Sequence, residues 1–224
     1  MPDIALNTLL ALAAFALLAG CATPPAPYDY SAFERNDPAS ILVLPPINRS
    51  PDIKASYSML SQVSYPLAEA GYYVLPVAVV DETFKQNGLM NADEMHMAPP
   101  ARLREIFGAD AVLYIEVTRY GSSYRVLTSE VAVEAVGRLV DLRSGELLWQ
   151  GSALASSAEN QNRHNHGLIG MLISAAVDQI VNTLTDRGHE MAGITSHRLL
   201  SAGNPNGILS GPRSPHYPQR LASH

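Results

Sequence analysis

The sequence predicts an α/β fold, and three patterns support that assignment. Residues 41–44 form a continuous apolar run closed by two prolines, which is typical of a strand buried on both faces of a sheet. Residues 142–145 (LRSG) predict a hairpin turn between two strand patterns. Residues 168–187 carry apolar side chains three or four positions apart, as in a long amphipathic helix. The length of 224 residues fits one domain of ordinary size, or at most two small ones.

The composition excludes several classes of protein. The chain is 47% hydrophobic and 16% charged, with a mean hydropathy of +0.02, which excludes a disordered polymer, a collagen-like repeat and a polytopic membrane protein. Its 15 Lys and Arg against 21 Asp and Glu give a net charge of −6, and no stretch is polybasic, so no nucleic-acid partner is expected. A single cysteine excludes an intrachain disulfide.

The amino terminus predicts a lipid anchor. Residues 4–18 form an apolar run that fits a signal-peptide core of about 7–15 residues better than a spanning helix of about 20. The run meets Leu18-Ala19-Gly20-Cys21, which resembles the bacterial lipobox. We expect residues 1–20 to be removed as a signal peptide and the Cys21 thiol to carry the lipid, so that the bilayer is a partner through Cys21. The alternative is a buried structural cysteine beside an ordinary signal, and the n-region MPDIALN departs from the pattern because it has no Lys or Arg.

The residues after the cysteine predict where the domain is placed. Ala22 stands where an aspartate would signal retention at the inner membrane, so the resemblance implies an outer-membrane protein that faces the periplasm. Residues 21–39 contain four prolines and are predicted to form an extended tether. Residues 40–199 are then the folded periplasmic domain. Residues 200–224, rich in Gly and Pro, are predicted to form an irregular tail.

In the first half of the domain, the strand at 41–44 precedes an amphipathic helix over residues 56–70, which Pro66 should kink or break. A short strand is predicted at residues 72–75. Asp81 is predicted to cap a short helix that ends at Gln86, and residues 90–100 to be irregular. A further helix should begin at Pro99-Pro100 and end before Gly108.

In the second half, strands are predicted at residues 111–118, 131–141 and 146–155, and the helix over residues 168–187 should stop at Gly188. The first two turns of that helix are apolar on every side. This predicts burial in a homodimer or partner interface, and the alternative is a helix end packed under a loop. The interface residues would be Leu168, Ile169, Met171, Leu172 and Ile173.

The sequence offers few residues with the pattern of a chemical site. It has no Gly-rich phosphate loop, no G-x-S-x-G and no H-E-x-x-H, so we predict no catalytic residues and no cofactor. His164 and His166, like residues 93–96, lack the third ligand that zinc needs, which favours solvated loop residues over a metal site. Asn48, Arg49 and Ser50 follow the first strand, where ligand sites of α/β proteins lie, although ordinary turn chemistry is the favoured explanation.

Several segments together resemble a known family. They are the lipobox and the segments ILVLPPINRSPDIKA, FGADAVLYIEVTRYG, VDLRSGELLWQG, GLIGMLISAAVDQIVN and NGILSGPRSPHY. The family comprises proteobacterial outer-membrane lipoproteins of unknown function and includes a meningococcal vaccine-candidate surface lipoprotein. The resemblance implies a single, three-layer-like α/β domain with a mixed sheet, similar to the amino-terminal domain of the TolB translocation protein and often dimeric. Family members tend to be encoded beside a lipoprotein similar to the curli-secretion channel subunit, which makes such a lipoprotein a candidate partner.

These observations predict a non-enzymatic lipoprotein that presents one α/β domain to the periplasm, as an assembly or accessory component of envelope transport or secretion. The alternative is a small-ligand-binding protein or a hydrolase that uses the loop of Asn48, Arg49 and Ser50. A pocket lined by polar groups with strongly shifted pKa values would favour the alternative. A flat apolar patch would favour a protein partner.

Overall fold

A computed structural model describes residues 28–125, 128–159 and 184–222. Within these ranges the chain forms eight helices and six strands. The helices are α1 (Ser31–Asn36), α2 (Ala55–Leu60), α3 (Ser64–Glu69), α4 (Val77–Gln86), α5 (Ala92–His96), α6 (Pro100–Phe107), α7 (Leu184–Leu200) and α8 (Tyr217–Ala222). The strands are β1 (Ser40–Val43), β2 (Ile47–Asn48), β3 (Tyr73–Val74), β4 (Ala111–Arg125), β5 (Thr128–Asp141) and β6 (Leu147–Ser156).

The strands form one mixed sheet in the order β3-β1-β4-β5-β6. Strand β1 runs parallel to both β3 and β4, whereas β4, β5 and β6 are antiparallel. The hairpin turn between β5 and β6 is held by the Asp141 carboxylate, which accepts hydrogen bonds from the amides of Arg143 and Ser144. Gly145 takes a φ of 74°, the left-handed conformation expected at this turn. The predicted α/β class and mixed sheet are confirmed.

Helices pack on both faces of the sheet, and β1 shows this directly. Ile41 and Val43 join the larger core together with residues of α2, α3 and α7, while Leu42 and Leu44 join a smaller core with residues of α4, α5 and α6. Successive strand residues point to opposite faces, so a strand covered on both sides reads as continuously apolar. The arrangement is therefore three-layered near β1. The similarity to the TolB amino-terminal domain stays a prediction.

Prolines interrupt the strand that pairs with β4 along one edge, and also the helical segment that follows that strand in the chain. Strand β1 ends before Pro45-Pro46, and β2 then resumes pairing with β4 further along the same edge. The predicted helix over residues 56–70 is two helices, α2 and α3, as the position of Pro66 suggested. Pro66 lies in the first turn of α3, where its missing N–H needs no helical partner, whereas one continuous helix would lose a hydrogen bond there.

Two local predictions in this half are wrong. Asp81 does not cap a helix, because α4 already begins at Val77, directly after Pro76; Asp81 lies inside it and pairs with Lys85 at 2.7 Å. Residues 90–100 are not irregular throughout, since they contain α5. The Asn91 carboxamide oxygen caps α5 by accepting a hydrogen bond from the Glu94 amide at 2.9 Å.

The predicted helix stop at Gly188 is also wrong. Helix α7 runs through Gly188 to Leu200 and packs on β5 and β6. The side that it buries carries Met191, Ala192, Thr195, Ser196 and Leu199. Gly188 serves close packing instead, because a methyl group there would lie 2.8 Å from the Tyr120 hydroxyl oxygen.

Both ends of the described chain belong to the fold more fully than predicted. The extended tether does not reach residue 39, since α1 forms at Ser31–Asn36 and buries Phe33 completely. The carboxy-terminal tail is irregular only as far as His216, and α8 follows it. Ser214 and Arg220 of this tail are buried. Among the described helices, none has the length and apolar character needed to cross a membrane.

Candidate functional site

The loop of Asn48, Arg49 and Ser50 lies at the end of β2, beside the middle of β4. The Arg49 amide continues the sheet by donating to the Val117 carbonyl at 2.9 Å. The Asn48 side-chain oxygen accepts from the Ser50 amide at 2.8 Å and the Ser50 hydroxyl at 2.7 Å, while its nitrogen donates to the Asp52 carbonyl at 2.7 Å. The Asn48 carboxamide therefore holds the turn together, which is the ordinary turn chemistry weighed for this loop.

The Arg49 guanidinium is already matched by two carboxylates. Its Nε lies 3.3 Å from a Glu116 oxygen, and a terminal nitrogen lies 3.1 Å from an Asp93 oxygen. All three side chains are about half exposed, so the pairs contribute little to stability, but they cancel the positive charge that an anionic ligand would need.

A shallow groove with a volume of about 200 Å³ opens beside this loop. Its walls come from the loop and from the far part of β4: Arg49, Ser50, Pro51, Thr118, Arg119, Tyr120, Gly121 and Ser122. Pockets that enclose drug-sized ligands usually reach about 300–1,000 Å³. The groove is therefore smaller than a typical ligand pocket, and its wall is about equally polar and apolar.

A polar network that the sequence did not indicate lies behind the groove. The Tyr120 hydroxyl donates to the Ser58 hydroxyl oxygen at 2.9 Å, and that oxygen lies 3.1 Å from Nδ1 of His189. The Nε2 of Gln62 lies 2.6 Å from Nε2 of His189. The network joins β4 to α2 and α7 and brings a serine beside a histidine, as catalytic dyads do.

The polarity of these hydrogen bonds disfavours a catalytic dyad. Because the Gln62 amide donates to Nε2 of His189, Nδ1 carries the ring proton and donates it to Ser58. A general base needs an unprotonated nitrogen facing the serine, and here Ser58 receives hydrogen bonds from both neighbours. Burial raises the pKa of the Tyr120 hydroxyl, which keeps it protonated as a donor. The network is suited to fixing α7 on the sheet.

His96 belongs to the segment 93–96, which was weighed above as a metal site. It lies at the end of α5, where its Nε2 contacts the Pro45 carbonyl at 2.9 Å and its ring packs edge-on against Tyr114 at 5.2 Å between centroids. Burial lowers the pKa of His96 below 6.5, which favours the neutral ring that donates to Pro45. Across the described residues, no group of three or more His, Cys, Asp or Glu could hold a metal ion.

Over β5 and β6, one face of the sheet is not covered by any of the described helices, and we call it the open face. It consists of three cross-strand pairs, Glu134 with Leu154, Val136 with Ser152, and Arg138 with Gln150. Val136 is 38% exposed within β5, and Leu154 is 44% exposed near the end of β6. A mixed polar and apolar sheet surface of this kind is available for contact with another protein.

Some predicted residues fall outside the described part of the chain. These are Cys21, His164, His166 and the five predicted interface residues at positions 168–173. Glu159, at the edge of the described range, pairs with Arg198 of α7 at 2.7 Å. The lipidation site and the predicted interface therefore stay predictions.

Comparison with known proteins establishes the family. A family model described as "Putative lipoprotein GNA1162-like" matches residues 28–213. A protein of Neisseria meningitidis serogroup B with the same kind of description is 52% identical over 206 residues, covering 92% of this chain and 95% of that protein. The crystal structure of lipoprotein GNA1162 from Neisseria meningitidis is 55% identical, with a TM-score of 0.51, and covers 65% of this chain and 100% of that one. The chain therefore belongs to the GNA1162-like family of lipoproteins.

Proposed function

We propose that this lipoprotein is lipidated at Cys21, is held at the outer membrane facing the periplasm, and acts without catalysis as an accessory component of an envelope transport or secretion system. The lipobox at residues 18–21 supports the anchor. Lipidated cysteines carry two or three acyl chains, which anchor a protein stably because each buried methylene contributes about 0.8 kcal/mol. Ala22 after the cysteine supports the outer membrane as the destination.

The open face carries the proposal of a protein partner. Val136 of β5 and Leu154 of the edge strand β6 expose apolar surface on the same face, and Arg138 and Glu134 flank them with opposite charges. Such a surface can bury apolar area and still select a partner by charge. The groove beside Asn48 offers less, because Arg49 pairs with two carboxylates, Arg119 lies 3.8 Å from a Glu130 oxygen, and the Asn48 turn is closed by its own hydrogen bonds.

A partner would contact the open face rather than add a strand to the edge of β6. That edge is occupied at two backbone positions by side chains of the same protein. The Gln150 amide donates to the Tyr28 hydroxyl at 3.1 Å, and the Leu154 carbonyl accepts from Arg198 at 2.6 Å. Occupied edges of this kind prevent strand addition by another chain.

The alternative function, a ligand-binding protein or hydrolase at the loop of Asn48, Arg49 and Ser50, has less support. The residues that would act there are engaged in internal hydrogen bonds and ion pairs. The nearby Ser58 accepts hydrogen bonds rather than losing a proton to His189. The proposed homodimer through residues 168–173 is a separate hypothesis and is compatible with either function.

The test is capture of partners by the lipidated protein from native envelopes, with a lipoprotein similar to the curli-secretion channel subunit as the first candidate. Val136→Glu and Leu154→Glu should each reduce capture at least several-fold, because each places a charge in the apolar centre of the open face. Val79→Glu and Ile106→Glu are matched controls, since Val79 is 61% exposed and Ile106 54% exposed on helices elsewhere. Equal capture by all four variants would exclude the open face as the docking surface.

A further inference from the structure

The lipid attachment point lies close in sequence to the fold. Six residues separate Cys21 from Tyr28, where the chain joins the described domain. A chain extends by at most about 3.6 Å per residue, so the Cα atoms of Cys21 and Tyr28 can be no more than about 25 Å apart. A lipid at Cys21 would therefore hold Tyr28 near the bilayer surface.

Tyr28 and Tyr30 are bound firmly to the rest of the domain. The Tyr28 amide donates to the Asn206 side chain at 3.2 Å, and the Tyr28 hydroxyl accepts from the Gln150 amide of β6. The Tyr30 hydroxyl donates to the Gly207 carbonyl at 2.5 Å. These contacts attach the amino-terminal segment to the carboxy-terminal tail and to the edge of the sheet, so the tether cannot lengthen without breaking them.

The tail holds the other end of α1 as well. Asp37, directly after α1, is bound through its two carboxylate oxygens by Arg220 and Tyr217 of α8. Arg220 is buried and also donates to the Ser210 carbonyl at 2.5 Å. Residues 28–37 are thus fixed at both ends by the tail, which keeps the tether short.

The carboxy-terminal segment at this attachment is uncharged, although the exposed Asp29 lies beside Tyr28. Residues 199–212 contain no Asp, Glu, Lys, Arg or His, although the whole chain has a net charge of −6. Residues 203–206 within this stretch are exposed. An acidic protein can bring this uncharged segment close to anionic headgroups with less charge repulsion than its acidic surfaces would meet.

We propose that the surface formed by Tyr28 and residues 203–206, the leash face, is turned toward the lipid headgroups. This inference rests on the lipidation of Cys21 in the proposed function. The far end of the β4–β5 hairpin then points away from the membrane. Gln150, which contacts Tyr28, is level with Tyr114 across the sheet, because both pair with Arg138. Ser122 lies eight residues beyond Tyr114 along β4, so the two are about 27 Å apart at 3.3–3.4 Å per residue.

The test places a fluorescent donor at either end of the full-length lipidated protein in vesicles of phosphatidylethanolamine and phosphatidylglycerol. Pro205→Cys labels the leash face and Ser122→Cys labels the far end, and both positions are exposed. Energy transfer to a headgroup acceptor should be about twofold or more stronger from position 205, because the tether limits that end to about 25 Å from the anchor. Equal transfer, or stronger transfer from position 122, would overturn the orientation.

Two controls separate this inference from its premise. Twenty Gly and Ser residues inserted between Pro27 and Tyr28 add roughly 25 Å of root-mean-square length and should abolish the difference between the labels. A difference that survives the insertion would show that the short tether does not set the orientation. Flotation with the vesicles reports the anchor itself. If the parent protein does not co-float with the vesicles, both the lipidation and the orientation are refuted. If it co-floats but energy transfer is equal from the two labels, only the orientation is refuted.

Discussion

The substitution Gly188→Ala tests whether Gly188 of α7 packs closely against Tyr120. Neither Gly188 nor Gly193 has a positive φ, so alanine at either helical position should gain about 0.5–1 kcal/mol from helix propensity. At Gly188 the new methyl group would lie 2.8–2.9 Å from the hydroxyl oxygen, Cζ and Cε1 of Tyr120. Tyr120 is 7% exposed and fixed by its hydrogen bond to Ser58, so it cannot move aside freely.

The two glycines of α7 form a matched pair with opposite expected signs. Overpacking against a fixed side chain costs about 1–3 kcal/mol, so Gly188→Ala should lower the free energy of unfolding by about 1–2 kcal/mol net. At Gly193 the nearest atom is Oε1 of Gln62, at 3.3 Å, and a shift of that side chain by a few tenths of an ångström is compatible with its hydrogen bond to His189, so Gly193→Ala should stabilise by about 0.5–1 kcal/mol. In a protein of this size, 1 kcal/mol corresponds to about 2–4 °C in Tm.

Thermal and chemical unfolding of both variants would measure these differences. In a Tyr120→Ala background the Gly188→Ala change should become stabilising, because the ring and hydroxyl that the methyl group meets are gone. Stabilisation by Gly188→Ala in the parent protein would refute the reasoning. It would mean that Tyr120 does not pack closely on Gly188.

Three further changes have definite expected outcomes. Gly151→Ala should destabilise the fold by about 2–3 kcal/mol in chemical unfolding, because its methyl group would lie 2.4 Å from the buried Trp149 ring; Gly137→Ala, at 3.3 Å from the same ring, should cost less. Cys21→Ser should end palmitate labelling and release the protein from membranes, and labelling that persisted would contradict the anchor. Burial lowers the pKa of His96 below its ordinary 6.5, so the unfolded chain binds the proton more readily and stability should fall as the pH drops below about 6.5. His96→Gln should lose less stability over that pH interval than the parent protein.

The strands were predictable because their burial requires a recognisable pattern of apolar residues in the sequence. Ile41 and Leu42 point into different cores, which is why the run around them is apolar without a break. The cap of α4 was assigned to the wrong residue. Asp81 belongs to a residue type that is common at helix N-caps, but Pro76 is the residue that stands at the N-cap of α4. Asn91 and Glu94 have a capping spacing, so the start of α5 was available from the sequence.

The site residues were predictable only where neighbours in the chain form the contact. The turn of Asn48 and Ser50 closes within two residues, and the sequence suggested it as turn chemistry. Ser58 and His189 lie 131 residues apart, so only the packing of α7 on α2 brings them together. The open face could not be predicted from the sequence either. Alternate polar residues in β5 and β6 predict that one face of these strands is exposed to solvent, but they do not show that the apolar Val136 and Leu154 are exposed on that face as well.

The error at Gly188 shows how two sequence rules can conflict. In the sequence, the apolar positions Val177, Ile180, Val181 and Leu184 follow a helical period that is in phase with Gly188 and with the buried positions that begin at Met191. Periodicity therefore predicted one helix, and the glycine rule alone ended it early. A glycine on the apolar side of a helix, in phase with its neighbours, indicates close packing rather than termination. Gly167 and Gly170 stand beside the predicted interface residues. By the same reasoning, these glycines favour the close approach of another backbone, and they need not mark the end of a helix.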